Sequence, residues 1–382
     1  MSKKRICILS EWYLPGTKAG GPVRSIFSLI GILKSEFDIY LITTDCDLGT
    51  QTPYPGIKSN EWFEKEGVNY YYLSKTNLNK ERIKDLLNHL NADVIYLNSF
   101  WSYWFSIFIV RLKMKNEVKG TLVLAPRGML GKGALSIKPY KKKIYIALSK
   151  ARKFYTNILF HATNQEEKND IEKYYPGSKI IIAENANNTI AATFEKTKKV
   201  NELNLFFLSR IAKVKNLHFA LNVLSKIPKE YQVNYSIYGN IEDPNYWKHC
   251  LAIIETLPKN ITVNYKGELS FDEIQNKISA HHFLFLPTLN ENYGHSIVES
   301  LLSSCPAIIS DQTPWKELEK NNAGYSLSLK NEKAFVDTII NCAKMEQSDY
   351  KKMMEDAIKY MSKKIDLPLL KKKYLQLFNT SE

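Results

Sequence analysis

Short apolar runs alternate with longer segments of helical spacing along the first half of the chain. The apolar runs Arg5–Ser10, Ile39–Thr44, Val94–Leu97 and Leu122–Ala125 predict strands, and Ser25–Lys34 has the spacing of a helix. Each run gives way to polar, glycine or proline residues, as strands joined by crossover helices do. The pattern therefore predicts an α/β fold with a doubly wound parallel sheet.

The alternation of predicted strands and helices is interrupted once and then resumes. Ala186–Val200 is polar and lysine-rich, with few large apolar residues. Further strands are predicted at Leu203–Leu208, Tyr235–Tyr238, Ile261–Tyr265, Phe283–Leu286 and Ala307–Ser310. Because 382 residues are enough for two domains, we predict one α/β domain over residues 1–192 and a second over residues 200–365. A last segment, Leu369–Phe378, has helical spacing and follows Pro368.

Composition excludes several classes of protein. Hydrophobic residues make up 44% and charged residues 24%, which is typical of globular proteins and not of disordered chains. The five cysteines are scattered and form no CxxC motif, so we expect reduced thiols in a cytoplasmic protein. The longest apolar candidate, Phe100–Val110, is too short to span a bilayer. We therefore expect a soluble or peripherally attached protein.

The net charge of +14 is concentrated in one stretch. Arg111–Tyr155 contains thirteen lysines and arginines and one acid, Glu117, and it follows an aromatic cluster, Phe100–Phe105. Three interpretations are open: a solvated helix face beside core aromatics, a surface that docks on anionic lipid, or a nucleic-acid groove. No recognised nucleic-acid motif accompanies the charge, so nucleic acid is not an expected partner.

The segment Pro287–Glu299 is the most informative for chemistry. It follows the predicted strand Phe283–Leu286, and a helix is predicted to begin near Gly294. The carboxyl edge of an open α/β sheet is where ligands bind. The backbone N–H groups of Gly294, His295 and Ser296 would be first-turn donors, which suit a phosphate.

Two carboxylates lie on either side of that predicted phosphate site. Glu291 is in the loop and Glu299 is in the helix, eight residues later. Carboxylates are poor ligands for phosphate but good acceptors for sugar hydroxyls. A phosphate site between hydroxyl acceptors matches the layout of a nucleotide sugar.

A basic loop follows the first strand of the second half. Arg210 and Lys215 would lie at the same ligand-binding edge, after Leu203–Leu208. Arginine can hold a diphosphate with two parallel hydrogen bonds, and lysine adds a point charge. The alternative is an ordinary basic loop in a basic protein.

These residues resemble the donor site of retaining GT-B glycosyltransferases of family 4, in the form found in bacterial polysaccharide enzymes. The most specific part is Glu291–Trp315, which ends in Ser310-Asp311-Gln312-Thr313-Pro314-Trp315. Further similar segments are Gly20–Arg24, Ala125–Leu130, Tyr238-Gly239 and Lys266–Leu269. The resemblance covers nearly the whole chain.

The resemblance implies a GT-B fold, in which two Rossmann-like domains face a central cleft and the C-terminal helix, residues 366–382, packs back on the first. It implies a catalytic set of Glu291, Arg210 and Lys215, with the two cations on the donor diphosphate and Glu291 on the transferred sugar. The donor-binding residues that it implies are Gly21, Gly239, Glu268, Leu269, Tyr293, Gly294, His295, Ser296 and Glu299. Of these, Glu299 would accept from the ribose, Gly21 would approach the phosphates, and Glu268 and Leu269 would lie by the base.

The first half departs from the family pattern at one position. Many members have a histidine after the strand that corresponds to Val94–Leu97, and this chain has Asn98. Asn98 can bind a sugar or acceptor but cannot be a cation. Arg127 is the second acceptor-side candidate; it would face an acceptor phosphate or pair with a carboxylate.

Three histidines need separate interpretation. His295 would donate to a phosphate or the sugar, or pack on the loop at the helix start. His281 and His282 are adjacent, so on a strand they would face opposite sides, and no metal site is expected there.

The expected activity is a retaining, metal-independent hexosyl transfer from a nucleotide sugar to a glycan or a lipid-diphosphate-linked saccharide. No Asp-x-Asp motif is placed for donor binding, since Asp45-Cys46-Asp47 lies in the first half. The pathway would be the synthesis of a capsule, O-antigen or exopolysaccharide at the cytoplasmic face of an anionic membrane. The alternatives are a sugar-nucleotide epimerase of related fold and a non-catalytic, basic membrane- or RNA-binding protein.

Overall fold

The computed structural model describes residues 3–136, 139–186 and 191–379. The chain divides into two compact units, which are described separately. Unit 1 comprises residues 1–188 and 367–382, and unit 2 comprises residues 189–366. Each unit is built around one sheet.

Unit 1 contains an eight-stranded sheet. Its strands are β1 Arg5–Leu9, β2 Asp38–Thr44, β3 Trp62–Lys65, β4 Val68–Leu73, β5 Val94–Leu97, β6 Thr121–Leu124, β7 Leu159–Ala162 and β8 Lys179–Ile182. They lie in the order β3-β4-β2-β1-β5-β6-β7-β8, and all pairs are parallel except β3 with β4. The helices that connect them are α1 Gly21–Leu33, α2 Lys80–Leu90, α3 Phe108–Met114, α4 Lys132–Ser136, α5 Pro139–Ala151 and α6 Gln165–Tyr174.

Unit 2 contains a six-stranded, fully parallel sheet. Its strands are β9 Glu202–Leu208, β10 Gln232–Tyr238, β11 Ile261–Gly267, β12 Phe283–Leu286, β13 Ala307–Ser310 and β14 Gly324–Leu327. They lie in the order β11-β10-β9-β12-β13-β14. Its helices are α7 Leu217–Leu224, α8 Pro244–Ile254, α9 Phe271–Ile278, α10 His295–Leu302, α11 Glu332–Lys344 and α12 Gln347–Lys364.

The last helix, α13, spans Leu367–Asn379 and returns to unit 1. The Phe378 ring packs against the rings of Phe37 and Tyr96, and the Tyr374 hydroxyl donates to the Glu184 carbonyl oxygen at 2.7 Å. The apolar positions of this helix therefore complete the core of unit 1.

The central strands are buried on both faces. Every residue of β5, β12 and β13 is buried, because helices cover both sides of a parallel sheet. The strand order reverses between β1 and β5 in unit 1 and between β9 and β12 in unit 2. At such switch points adjacent loops diverge and leave room for a ligand beyond the carboxyl ends of the strands.

The predicted strands and the doubly wound sheets are confirmed, with ends that differ by a few residues. The helix predicted at Ser25 begins earlier, at Gly21, because Pro22 suits the first turn and the carbonyl of Gly20 accepts the first helical bonds. His281 and His282 precede β12 and do not lie on a strand, so the argument from opposite strand faces does not apply to them. None of the five cysteines, all of which the structure describes, forms a disulfide.

The polar segment between the halves is fastened to unit 2. Residues 191–199 form no helix or strand, but the Lys196 ammonium donates to the carbonyls of His281 and Ser304. Lys198 is buried and donates to the Ala343 carbonyl at 2.9 Å. Among the described residues, none of the helices combines the length and hydrophobicity that crossing a bilayer requires.

Candidate functional site

Two loops meet at the switch point of unit 2. The Leu289 N–H donates to the Val214 carbonyl at 2.8 Å, and the Thr288 hydroxyl donates to the same oxygen at 3.0 Å. The Asn216 amide donates to the Pro287 carbonyl at 2.9 Å. The loop after β9 and the loop after β12 are thus joined along their length, as expected for strands on either side of a switch point.

Lys215 and Glu291 form an ion pair where these loops meet. The Lys215 Nζ lies 2.5 Å from a Glu291 carboxylate oxygen, and the side chains are only 11% and 17% exposed. The Glu291 N–H donates to the Gln312 carbonyl at 3.0 Å, which fixes the backbone of the loop. The structure therefore brings together two of the three predicted catalytic residues in a sheltered position.

The third predicted residue, Arg210, pairs with a carboxylate that the sequence analysis missed. Its guanidinium contacts Glu242, which follows β10, and about a third of each side chain is exposed. The Ile211 N–H donates to the Asn240 carbonyl at 2.8 Å, so the loops after β9 and β10 run side by side. β9 and β10 are parallel neighbours in the sheet, so the residues that follow them lie side by side. A prediction of that strand order would have been needed to place Glu242 beside Arg210.

Gly239 allows this close approach of loops. Its φ is +139°, and a Cβ at this position would overlap with the Ser209 carbonyl. The Gly239 N–H donates to the Gly267 carbonyl at 2.8 Å. The ends of β9, β10 and β11 are therefore packed backbone against backbone, which only a residue without Cβ permits.

Gly294 makes the turn into α10. Its φ is +80°, in the left-handed region, and its carbonyl accepts from the N–H groups of Ile297 and Val298. The first turn of α10 thus starts at the predicted point, with Ser296 half-buried beside it. Helix N-termini carry partial positive charge and attract phosphate.

A cluster of aromatic rings supports this turn. The Trp315 indole N–H donates to the Tyr293 carbonyl at 2.5 Å, and the two rings are 5.8 Å apart. The Tyr293 and His295 rings are 4.8 Å apart and His295 is 9% exposed, so its imidazole packs on the loop. This packing holds the beginning of α10 in place.

The remaining predicted donor residues occupy two environments. Glu299 is 7% exposed, on the fifth residue of α10. Glu268 is exposed and Leu269 is half-buried, and both lie between β11 and α9, with Leu269 against the core. All three follow carboxyl ends of strands in unit 2.

The two acceptor-side candidates meet at the switch point of unit 1. The Asn98 N–H donates to the Leu9 carbonyl and its side-chain amide to the Pro22 carbonyl, so it joins the end of β5 to the end of β1 and the first turn of α1. The Arg127 Nε donates to the Asn98 side-chain oxygen at 2.7 Å. The structure thus brings Asn98 and Arg127 into contact.

Arg127 is held by neutral groups. Its guanidinium also donates to the Tyr96 hydroxyl at 2.8 Å and to the Asn185 side chain. Within the part of the chain that the structure describes, Arg127 forms no ion pair, so the carboxylate-pairing alternative does not hold there. Its backbone has a φ of +57°, in the left-handed region.

A buried histidine lies behind this arginine. The His161 Nε2 donates to the Ala183 carbonyl at 2.8 Å, so Nδ1 accepts from the Tyr96 hydroxyl at 2.7 Å. Burial, together with the charge of Arg127, lowers the pKa of His161 to about 3. Burial raises the pKa of Tyr96 to about 12. Both groups are therefore neutral and orient Arg127.

Gly20 and Gly21 lie where the loop after β1 enters α1. Gly21 is the exposed first residue of α1, and the left-handed φ of +65° belongs to Gly20.

Two carboxylates lie in or against the loop after β1. Asp47 accepts from the N–H groups of Thr17 and Lys18 in this loop. Glu11, which the sequence analysis missed, also lies here, and burial raises the pKa of its carboxyl while a hydrogen bond from Ser102 opposes the rise.

His281 and His282 have structural roles. The His282 Nδ1 accepts from the Asn204 N–H at 3.0 Å, and its Nε2 donates to the Thr197 carbonyl. Burial lowers the pKa of each imidazole to about 4. A search of the described residues finds no group of three or more histidine, cysteine or acidic side chains that could hold a metal ion.

Comparison with known proteins is consistent with this arrangement. Residues 189–363 match the family model described as "Glycosyl transferases group 1". No curated protein matches the sequence significantly.

Solved structures match the whole chain at low identity. Anabaena HepE in complex with UDP and glucose has a TM-score of 0.73 at 14% identity, covering 99% of this chain and 100% of that one. Sucrose-phosphate synthase from Thermosynechococcus elongatus has a TM-score of 0.73 at 12% identity, with the same coverage. A variant of S. aureus TarM in complex with Fondaparinux, alpha-GlcNAc-glycerol and UDP has a TM-score of 0.70 at 14% identity, also with this coverage. The chain therefore has a GT-B fold, and its residues 189–363 match the model of glycosyl transferases of group 1.

Proposed function

We propose that the protein is a retaining, metal-independent glycosyltransferase that uses a nucleotide-sugar donor. The observation that carries this proposal is the sheltered Lys215–Glu291 ion pair at the switch point of unit 2. The pair supports the proposal because a lysine that could bind a diphosphate lies beside a carboxylate that could accept from sugar hydroxyls, at the edge where α/β sheets bind ligands.

The cations of unit 2 would hold the donor diphosphate. An ammonium has three protons, so Lys215 can keep its bond to Glu291 and still donate to a phosphate oxygen. Arg210 contacts Glu242 through one of five guanidinium N–H groups and retains others for the diphosphate. Together with the first-turn N–H groups of α10, Lys215 and Arg210 would neutralise the charge of the diphosphate, which a metal ion neutralises in other enzymes.

The carboxylates would select the rest of the donor. Glu291 would accept from hydroxyls of the transferred sugar, and Glu299 from the ribose. Glu268 and Leu269 would lie by the base. Because structurally similar proteins have been solved with UDP, UDP-sugars are the first donors to test.

The chemical step requires no protein base. The bond between the anomeric carbon and the diphosphate oxygen breaks, and the acceptor oxygen bonds to the same face of that carbon. The leaving diphosphate oxygen takes the proton of the acceptor hydroxyl. Lys215 and Arg210 would stabilise the charge that develops on the diphosphate, and binding would align the two substrates.

The acceptor would be a glycan or a saccharide on a lipid diphosphate, in the synthesis of a capsule, O-antigen or exopolysaccharide at the cytoplasmic face of the membrane. Arg127 is a half-buried cation held by neutral groups, so its charge remains available to an acceptor phosphate. Asn98 is buried and accepts from Arg127, so it would act on the acceptor side by orienting that guanidinium.

A thermal-shift screen against nucleotide sugars and free nucleoside diphosphates tests the donor site. A ligand at 100 times its dissociation constant stabilises by about 2.7 kcal/mol, which is easily detected. We expect a shift with one nucleotide family, reduced by Glu299→Gln and unchanged by EDTA. A shift that disappears in EDTA would contradict metal independence.

Product analysis then decides the reaction. With donor and acceptor present, we expect a glycoside that keeps the anomeric configuration of the donor. An isomerised nucleotide sugar formed without acceptor would instead identify an epimerase. If the protein bound no nucleotide, the proposed function would be wrong and the non-catalytic alternative would be favoured.

A further inference from the structure

Helix α5 exposes a row of large apolar side chains. Tyr140, Ile144 and Leu148 are 81%, 60% and 51% exposed. Residues four apart lie above one another on a helix, so the three form one continuous strip along most of the 13 residues of α5. Single exposed apolar residues are common, but an aligned row of three marks a contact surface.

The opposite side of α5 fastens the helix to unit 1. Ile146 and Ser149 are buried, and the Tyr145 hydroxyl bonds the Tyr155 hydroxyl at 2.8 Å. The Lys142 ammonium lies over the Trp101 ring, 5.4 Å from its centre. The aromatic cluster beneath is therefore largely core, with Phe100 fully buried and packed on Trp101. Because the opposite side of α5 packs on this core, the core does not cover Tyr140, Ile144 and Leu148.

Lysines lie on both sides of the apolar row. At about 100° per residue, Lys141 lies on one side of Ile144, and Lys143 and Lys150 lie on the other. All three are exposed, and α5 contains no acidic residue. Among the residues described, none of the three lysines forms an ion pair. Apolar centre and cationic flanks are the pattern of a helix that lies in the interface of an anionic bilayer.

We propose that this face of α5 docks unit 1 on an anionic membrane. The α5 face comprises Tyr140, Lys141, Lys143, Ile144, Leu148 and Lys150. The apolar row would enter the boundary between headgroups and acyl chains, and the lysines would contact anionic headgroups. A second copy of the chain fits less well, since it would bring the same lysines face to face.

The inference rests on the proposed function for its purpose, since docking would bring the enzyme to a lipid-linked acceptor. The binding itself does not depend on catalysis. It can therefore be measured on the full chain with lipid alone, before any substrate is known.

The experiment is co-sedimentation with vesicles of phosphatidylcholine alone or with one third phosphatidylglycerol. The apolar variant is Ile144→Ser with Leu148→Ser, and its control is Leu251→Ser on the exposed side of α8, where Leu251 is 38% exposed. The lysine variant changes Lys141, Lys143 and Lys150 to Gln. Its control makes the same change of charge on α12, at Lys351, Lys352 and Lys359, which are also exposed.

We expect binding to the anionic vesicles that weakens in high salt. Both α5 variants should reduce it at least tenfold, and both controls should leave it within twofold of the original protein. Equal melting temperatures for variants and controls would show that folding is intact.

Two outcomes would overturn the inference: binding that the α5 variants do not reduce, or a dimer in gel filtration that these variants convert to monomer. Nucleotide-sugar binding by thermal shift separates the two proposals. Donor binding without vesicle binding would defeat the membrane inference alone, and vesicle binding without donor binding would defeat the proposed function alone.

Discussion

Lys215 is the residue on which the donor site depends most. It lies on a one-turn 3-10 helix, Lys213–Lys215, and points to Glu291, whereas Lys213 on the same turn is exposed. This difference between two lysines two positions apart offers a matched pair for mutagenesis.

We expect Lys215→Ala to lower the transfer rate by about 100-fold or more, because a charge aimed at the departing diphosphate is lost. Lys213→Ala should leave the rate within twofold, since that side chain is directed to solvent. The measurement is kcat with the donor found by thermal shift. Equal rates for the two variants would exclude a catalytic role for Lys215.

In unit 1, Arg127 is the residue whose substitution tests the acceptor site. Its fork donates to Asn98, Tyr96 and Asn185, and a lysine cannot reproduce that planar geometry. We expect Arg127→Lys to raise the KM for the acceptor about tenfold, which corresponds to about 1.4 kcal/mol.

The control for this substitution is Arg111→Lys, at an exposed position of α3. Donor affinity should be unchanged in both variants. If Arg127→Lys weakens donor binding and leaves the acceptor KM unchanged, the acceptor assignment is wrong.

At the scale of elements, the site depends on how closely neighbouring strand ends approach. Gly239 follows β10 and Gly267 ends the neighbouring strand β11, and both have positive φ values. Only at Gly239 would a Cβ meet backbone, the Ser209 carbonyl, whereas a Cβ at Gly267 has open space around it. The two glycines thus differ in packing but share the cost of an unfavourable φ.

We expect Gly239→Ala to lower the free energy of unfolding by about 3 kcal/mol and to weaken donor binding, because the loop with Arg210 must move. Gly267→Ala should cost only about 1 kcal/mol, from its φ alone. Denaturant unfolding and donor titration measure both effects. Equal losses for the two variants would show that close approach at Gly239 is unimportant.

The sequence predicted the elements whose pattern is local. The buried strands β5, β12 and β13 were found because both faces are apolar, and α10 was placed by Gly294 and the apolar run after it. The edge strand β3 was missed, since Trp62–Lys65 is short and largely exposed, and its inner neighbour β4 was missed with it.

Contacts between distant segments could not be predicted in the same way. The Arg210–Glu242 pair depends on the order of strands in the sheet, which no single segment encodes. The apolar row on α5 was hidden by the lysines beside it, because the sequence does not show which helix face the core covers. The positive φ of Gly20 likewise depends on where α1 begins.

At the scale of the whole molecule, buried histidines link stability to pH. His161 lies in unit 1, and His281 and His282 lie in unit 2, with pKa values lowered by burial to about 3, 4 and 4. In the unfolded chain a histidine has a pKa of about 6.5. Below that pH the unfolded state binds more protons than the folded state, so the free energy of unfolding falls.

We expect each of these histidines to reduce stability by about 2 kcal/mol between pH 7 and pH 5, since the folded imidazole stays neutral over this range. Urea unfolding of His161→Gln should therefore show a difference between the two pH values that is smaller by about 2 kcal/mol, whatever the substitution costs at pH 7. His89→Gln, at an exposed position of α2, should leave that difference unchanged. An unaltered pH dependence in His161→Gln would mean that the folded imidazole takes up a proton between pH 7 and pH 5 as the unfolded one does, so His161 would not stay a neutral acceptor from Tyr96 at pH 5.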